Sequence, residues 1–189
     1  MATAILEAPQ VLAAPERLTA EEFYATCKLD RAELVDGAVL EKMPPGFDHG
    51  DIAGNICFAL KLYARKGGRG RVSVEGGFRL SRDPDVVRSP DVSFVEAARL
   101  EGVSTIAFIE GAPTLAVEVA SPGDAADEVE AKVQEYLAAG TLAVWIVLPR
   151  TRSITVRTPD ETRVYLPHQT LSGEPALPGF EAALSEIFE

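Results

Sequence analysis

The amino-acid sequence predicts a mixed α/β (α+β) fold, in which helices flank a central sheet of mixed strand direction and an N-terminal hairpin precedes it. Asp36-Gly37 separates two apolar stretches, which is the strongest short hairpin signal. Residues 114–120, 124–139 and 142–148 have the patterns of a strand, a helix and a strand, and this succession requires a parallel pair. A second hairpin is predicted around Pro159-Asp160. Because parallel and antiparallel connections occur together, the sheet must be mixed.

Further elements are predicted from capping, helical spacing and alternation: a capping-box helix over 19–27, a helix over 52–66 that ends at Gly67-Gly68, strands over 71–80 and 91–95, and a closing loop and helix up to Phe188. The strand over 71–80 contains Gly76-Gly77, which predicts a bulge or a close approach of another group.

The chain of 189 residues has the length of one domain with its own core. Residues 1–16 lack a basic leader, so they predict a flexible arm rather than a signal peptide, and a single domain follows over 17–189. No run approaches the ~18 apolar residues that span a bilayer. Cys27 and Cys57 are expected to be small buried thiols in a reducing cytoplasm, without disulfide or zinc spacing.

The charge of the chain is unevenly distributed. Its net value of −11 argues against a non-specific nucleic-acid coat protein, which needs a basic surface to release counterions. One segment is nevertheless strongly basic and contains no acid: Lys61, Arg65, Lys66, Arg69 and Arg71. A solvated helix end and loop is the ordinary explanation. A phosphate contact becomes its interpretation only if the acidic segment over 91–135 holds a metal site.

Glu118 is a carboxylate within a strand that otherwise has the composition of buried core. Ionisation there is costly unless a cation or hydrogen-bond donors meet it. Alternation along residues 115–120 equally allows a glutamate on a solvated face. Asp91 begins another predicted strand, where its side chain can lie at the strand edge near Glu118. These two acids are therefore the candidate metal ligands.

Lys132 is the only basic residue between Leu100 and Pro149 in the sequence. The helix that contains it is expected to bury one stripe of side chains: Ala125, Val129, Val133 and Leu137. Lys132 lies at the border of this stripe, at about 100° per residue. It can snorkel outward into water, or it can lie over the sheet and point at Glu118.

Two carboxylates and a lysine suit the hydrolysis of a phosphodiester. Asp91, Glu118 and the backbone carbonyl of Val119 offer hard oxygen ligands for Mg²⁺ or Mn²⁺. A metal there would lower the pKa of a bound water and offset charge on the phosphoryl oxygens. Lys132 would orient that water or stabilise the oxyanion.

Several motifs extend over residues 18–188: Glu33-Leu-Val-Asp-Gly37, Ser89-Pro-Asp-Val-Ser-Phe-Val95, Val117-Glu-Val-Ala-Ser-Pro122, Lys132-Val-Gln-Glu-Tyr136 and Leu177-Pro-Gly-Phe180. With these motifs the chain resembles the Uma-two family of restriction-endonuclease-like proteins, within the PD-(D/E)XK superfamily. The resemblance implies a restriction-endonuclease-like core and metal-dependent endonuclease activity.

The same resemblance implies roles for individual residues. Asp91 and Glu118 would be the metal-binding acids, and Glu33 would be an additional acid that reaches the site from the N-terminal hairpin. The superfamily lysine would fall two residues after the glutamate, where this chain has Ala120. The resemblance therefore implies that Lys132 replaces it from the helix. At two further positions, Glu128 and Leu148, this chain differs from the residue that family members usually carry. Neither difference affects the four candidate site residues.

Three aromatic or imidazole side chains have less specific signals. His49 could contact a phosphate or cap its helix. Tyr136 is expected to pack between helix and sheet, although a catalytic role is open. Trp145 lies in the most apolar strand and is expected in the core.

Three functions are compatible with these residues. The first is a Mg²⁺-dependent endonuclease that acts on DNA, with the basic segment over 61–71 on the phosphate backbone. The second is a non-catalytic binding protein that keeps a nuclease-like fold. The third is a metal hydrolase for a small phosphate ester, which would have a closed pocket. A homodimer suits an endonuclease that cuts both strands, but the sequence identifies no interface.

Overall fold

Three sheets and four α-helices are formed by the residues that the computed structural model describes, 17–29 and 31–189. The predicted arm over 1–16 lies outside the described residues. The helices are α1 (Ala20–Thr26), α2 (Phe47–Arg65), α3 (Ala126–Ala138) and α4 (Leu184–Ile187). The strands are β1 (Ala32–Val35), β2 (Ala38–Glu41), β3 (Gly70–Val74), β4 (Phe78–Ser81), β5 (Val86–Arg88), β6 (Val92–Glu96), β7 (Ile109–Glu110), β8 (Leu115–Val119), β9 (Ala143–Leu148), β10 (Ser153–Arg157), β11 (Thr162–Tyr165), β12 (Thr170–Ser172) and β13 (Glu181–Ala183).

The largest sheet has six strands in the order β11-β10-β9-β8-β6-β3. Strands β8 and β9 are parallel and are joined through α3, whereas every other neighbouring pair is antiparallel. The sheet is therefore mixed, as the strand–helix–strand succession and the second hairpin predict. A small hairpin of β12 and β13 and the short helix α4 form the tail.

One face of this sheet carries the main core. Helix α2 and the C-terminal segment pack against it, and Trp145 is fully buried there, as its apolar strand predicts. The rings of Tyr63 and Phe180 pack edge to face within this core. None of the helices in the described ranges is long and apolar enough to cross a membrane.

Helix α3 covers the opposite face of the sheet. Val133 and Tyr136 are fully buried against Ala116 and Val144. The predicted stripe is partly wrong, because Ala125 is exposed and Val129 and Leu137 are only half-buried. The physical reason is that α3 begins after Ala125 and contacts the sheet mainly through its C-terminal half, so the buried stripe shifts towards Tyr136.

A second sheet, in the order β2-β1-β5-β4-β7, stands beside the first and carries α1. The single strand predicted over 71–80 is wrong, because β3 belongs to the large sheet and β4 to the small one. Gly77 lies at the break between them. A Cβ on this residue would stand 2.3 Å from the ring of Phe108, so the predicted close approach is confirmed.

The N-terminal elements follow their local signals. Thr19 and Glu22 form both hydrogen bonds of the capping box at the start of α1. Asp36 and Gly37 both have positive φ, 50° and 76°, as a two-residue hairpin turn between β1 and β2 requires. The second predicted hairpin is formed by the antiparallel strands β10 and β11, so both hairpins are confirmed. Cys27 and Cys57 are both free thiols. Cys57 is buried, as expected, whereas Cys27 is only half-buried.

Candidate active site

The pairing of β6 with β8 brings Asp91 and Glu118 together. Val92 pairs with Val117, so Asp91 lies one step beyond the ladder, opposite Glu118. Directly opposed residues of antiparallel strands point to the same face of a sheet. That face is the one covered by α3, because Val117 points into the core on the other side. Glu118 is thus under a helix rather than on a solvated face.

Asp91 is held at this strand end by three elements. One carboxylate oxygen accepts a hydrogen bond from the backbone amide of Val119 at 2.7 Å. The other lies 3.1 Å from Nε2 of His49, in the first turn of α2, and 3.9 Å from the guanidinium of Arg31. Burial raises the pKa of Asp91, but the contact with His49 and the Val119 amide outweigh it, so the pKa lies below its usual value. Asp91 is therefore an anion at neutral pH.

Both carboxylate oxygens of Glu118 accept hydrogen bonds from α3. The phenol of Tyr136 donates to one at 2.9 Å, and the ammonium of Lys132 donates to the other at 3.1 Å. The side chain of Glu118 is only 13% exposed. Burial raises its pKa, Lys132 opposes this effect, and the negative charge of Asp91 adds to it. Glu118 is the carboxylate in this site whose charge the fold compensates least.

Glu33 reaches the site from β1 and is fully buried. Lys42 lies 2.7 Å from one of its oxygens, and Arg88 donates to the other at 2.8 Å. The backbone amide of Ser89 donates a third hydrogen bond at 3.1 Å. Burial raises the pKa of Glu33, yet the charges of Lys132, Lys42 and Arg88 outweigh burial and bring the pKa down to about 2. Its charge is therefore fully compensated by the protein itself.

Lys132 lies between the carboxylates of Glu118 and Glu33. Its ammonium lies 3.1 Å from Glu118 and 3.5 Å from Glu33, so it points over the sheet and does not snorkel outward. Burial lowers its pKa, but Glu118 and Glu33 raise it more, so the side chain stays charged. The geometry thus allows the migration of the lysine from strand to helix that the resemblance implies.

A second layer of contacts supports these groups. Arg88 binds Glu135 of α3 through two hydrogen bonds of 2.6 and 2.8 Å, in addition to its contact with Glu33. Tyr136 packs under the sheet as predicted and also bonds Glu118, and burial together with that carboxylate raises its pKa well above the usual value. The phenol therefore keeps its proton and acts as a hydrogen-bond donor.

Lys42, Arg88 and Arg31 are site residues that the sequence analysis missed. Lys42 had a signal, because the Asp36-Gly37 turn sets Glu33 opposite Leu40, and Lys42 is then the diagonal neighbour on the same face. Arg88 had none, since β5 pairs with β1 through Leu34 and Val87 and was not predicted as a strand.

A divalent cation fits part of this constellation. Over residues 17–29 and 31–189, no group of three or more His, Cys, Asp or Glu side chains is arranged as a complete metal site. Glu33 is unsuited as a ligand because three cations, Lys42, Arg88 and Lys132, already compensate its charge, whereas Glu118 pairs with Lys132 alone among the described residues. Asp91 and Glu118 remain as hard oxygen donors, and the raised pKa of Glu118 marks negative charge that a cation would relieve. Two carboxylates with water are a sufficient set for Mg²⁺.

The basic segment is not brought to this site. His49 lies near the start of α2, whereas Lys61 and Arg65 lie near its end, about 18 and 24 Å further along the helix axis. Arg69 stacks over the ring of Tyr63 at 4.4 Å, and Arg71 bonds Thr105. Any nucleic acid that contacts both regions must therefore extend along α2.

The fold matches that of a solved nuclease-like protein. The chain superposes on the crystal structure of "a putative nuclease belonging to DUF820" from Anabaena variabilis with a TM-score of 0.79 and 20% identity, over 90% of this chain and 97% of that one. The fold is therefore restriction-endonuclease-like. A comparison with curated proteins finds no match.

The family follows from a match over nearly the whole chain. Residues 20–185 match the model of the Uma2 family, described as "Putative restriction endonuclease". The chain belongs to this family, and the resemblance noted from its motifs is confirmed. Family and fold together support a nuclease-like function.

Proposed function

We propose that this protein is a metal-dependent endonuclease that hydrolyses phosphodiester bonds of DNA at Asp91, Glu118 and Lys132. The observation that carries the proposal is the placement of these side chains on one covered face at the end of β6 and β8, with Lys132 3.1 Å from Glu118. Asp91 and Glu118 would hold Mg²⁺ or Mn²⁺, together with the backbone carbonyl of Val119. When bound, the cation would supply an activated water and compensate phosphoryl charge.

The protein's own residues perform distinct tasks in this proposal. The Val119 amide and His49 hold Asp91 ionised and fix its orientation. Tyr136 fixes the rotamer of Glu118 through a hydrogen bond from its phenol. Lys132 keeps a full positive charge, which suits stabilisation of the oxyanion that forms on phosphorus.

Glu33 acts on Lys132 rather than on the substrate. Its carboxylate is fully buried and lies 3.5 Å from the Lys132 ammonium, so it anchors the lysine beside Glu118. Lys42 and Arg88 hold Glu33 in turn. Glu33 is therefore a positioning residue in the proposed reaction.

DNA is the proposed substrate because the family model carries the description "Putative restriction endonuclease". The segment with Lys61, Arg65, Lys66, Arg69 and Arg71 would contact the backbone some distance along α2, which suits an extended polymer better than a small ester. A homodimer would supply a second site for the second strand, and this assembly is part of the proposal.

The test is cleavage of supercoiled and linear DNA by purified protein with Mg²⁺ or Mn²⁺. We expect nicking or linearisation that EDTA abolishes and that Glu118→Gln and Lys132→Met each reduce by at least 100-fold, the scale for losing one group that stabilises transition-state charge. Glu130→Gln is the matched control, because Glu130 lies on the same helix and pairs with Arg157 at the surface.

Two results would contradict the proposal. One is cutting at the wild-type rate by folded Glu118→Gln, which would indicate a contaminating nuclease. The other is the absence of Mn²⁺ binding by calorimetry near neutral pH together with no cleavage. That result would favour a binding protein that keeps the nuclease fold.

A further inference from the structure

A pocket of about 300 Å³ opens beside the candidate active site, where α1 faces strands β1 and β5. Its floor is apolar and buried and includes Phe23 and Val87. Its walls include the more exposed side chains of Tyr24, Leu29 and Phe108. The volume is at the lower end of the range for sites that take small molecules.

The aromatic side chains of this pocket are held rigidly. Phe108 stacks on Phe23 with ring centroids 5.7 Å apart, and Tyr24 meets Phe108 edge-on at 5.4 Å. The phenol of Tyr24 donates a hydrogen bond to the carbonyl of Ile106 at 3.2 Å. Even so, Tyr24 is 53% exposed. A fixed aromatic ring with free surface is a stacking platform for another planar ring.

Two residues on the polar side of the pocket contact carboxylates of the candidate active site. Arg31, Lys42 and Ser89 line the pocket. Arg31 lies 3.9 Å from Asp91, and Lys42 lies 2.7 Å from Glu33. A ligand in the pocket would therefore have its edge within reach of the groups that position a phosphate.

The charges of the pocket favour a neutral ring over a phosphate in its interior. Among its described lining residues, the charged groups are Arg31, Lys42 and Glu75. Glu75 forms an ion pair with Arg31, and Lys42 is paired with Glu33. Little positive charge is left for an anion deep in the pocket. The carboxylate of Glu75 and the cationic groups of Arg31 and Lys42 can instead form hydrogen bonds with the polar atoms of a heteroaromatic ring.

We propose that this pocket holds one unpaired nucleobase of the strand whose phosphate lies at Asp91 and Glu118. The inference rests on the proposed nuclease function and specifies its substrate as a single strand or a locally opened duplex. A paired base cannot enter a pocket of this size while its duplex stays intact, so the base must leave the stack. Stacking on the exposed ring of Tyr24 would compensate for that loss.

The test uses Cys27, a half-buried thiol that lines the pocket, whereas Cys57 is buried in the main core. The rate of Cys27 modification by a thiol reagent is measured with Mg²⁺ in the Lys132→Met variant, which keeps both proposed metal-binding acids and is expected to cut at least 100-fold more slowly than wild type. The probes are a single-stranded hexanucleotide, the same sequence in a duplex, an abasic strand of equal length, and free deoxyadenosine monophosphate. Cys27→Ser gives the background from Cys57.

We expect the single strand to slow modification of Cys27 about tenfold, and the other three probes to slow it less than twofold at the same concentration. Tyr24→Ala should raise the strand concentration needed for protection by roughly 5- to 100-fold, the range for loss of one base–aromatic stack. Tyr24→Phe keeps the ring and should behave as wild type. Phe58→Ala removes an aromatic from α2 that is more exposed than Tyr24, 67% against 53%, and should also leave protection unchanged.

Equal protection by the abasic strand would overturn the proposal, because phosphates alone would then account for binding. Equal protection by the duplex or by the free nucleotide would overturn it as well. If the protein cuts DNA but the single strand does not protect Cys27, the pocket proposal fails and the nuclease proposal stands. If the strand protects Cys27 but no metal supports cleavage, the nuclease proposal fails alone.

Discussion

Glu33→Gln should destabilise the protein strongly at neutral pH, because glutamine removes the charge that Lys42, Lys132 and Arg88 share. Glutamine has the shape of a protonated glutamate, so the variant resembles wild type with this group titrated. The stability lost in the variant should therefore depend on pH in the same way as the ionisation of Glu33.

The magnitude follows from linkage. Burial raises the pKa of Glu33, but the three cations outweigh it and lower the pKa from 4.5 to about 2. At 1.36 kcal/mol for each pKa unit, the ionised form contributes about 3 kcal/mol. Since the folded pKa is the lower one, this stability is present above pH 4.5 and is lost as the pH falls towards 2. At pH 3 the difference between wild type and variant should narrow to about 1.5 kcal/mol.

Denaturant unfolding at pH 7 and at pH 3 measures this difference directly. At neutral pH the expected loss corresponds to a Tm lower by roughly 6–12 °C for a domain of this size. Glu130→Gln is the control, because hydrogen bonds from Arg157 and Gln134 also lower the pKa of Glu130 to about 2, while its side chain is 49% exposed. Solvent screening should leave that variant close to wild type. Equal losses for the two variants, or a loss for Glu33→Gln that does not depend on pH, would refute the reasoning.

Two further predictions concern stability. Glu118→Gln should stabilise the protein at neutral pH and not below pH 4.5. Burial raises the pKa of Glu118, so the folded state disfavours the charge that this carboxyl acquires as the pH rises. Melting curves from pH 4 to 8 check this prediction, and a variant less stable than wild type at pH 7 would contradict it. Gly77→Ala should cost about 1–3 kcal/mol, since its Cβ would stand 2.3 Å from the Phe108 ring. Gly54→Ala, where α2 has open space, should instead gain about 0.5–1 kcal/mol; equal unfolding free energies for these two variants would argue against the close approach.

Local signals in the sequence determined the elements whose hydrogen bonds close within a few residues. The Thr19 capping box and the Asp36-Gly37 turn formed as predicted because their partners are neighbours in the chain. The parallel pair β8 and β9 was also predictable, since a helix between two apolar strands leaves little choice of connection. The acids Asp91 and Glu118 stood out because carboxylates are costly at strand positions near the core.

The assembly of the site depended on pairings between distant segments. Strand β5 has three residues and pairs with β1 through Leu34 and Val87, so no periodic pattern marked it, and Arg88 was missed with it. The stripe of α3 shifted towards Tyr136 because packing on the sheet, and not helical spacing alone, decides which turns are covered. The basic segment lies apart from the candidate site for a related reason: α2 holds Lys61 and Arg65 about 18 and 24 Å from His49 along the helix axis.

The sequence by itself therefore determined the fold class and singled out Asp91 and Glu118 as candidate acids, since composition and period depend on neighbours along the chain. Only the tertiary structure decided that Glu118 lies under α3, that Lys132 reaches it over the sheet, and that Glu33 is matched by three cations. The reason is that the pKa values of the site and the shape of the pocket depend on side chains from several separate elements, and the distances between them are fixed only when the sheets pack.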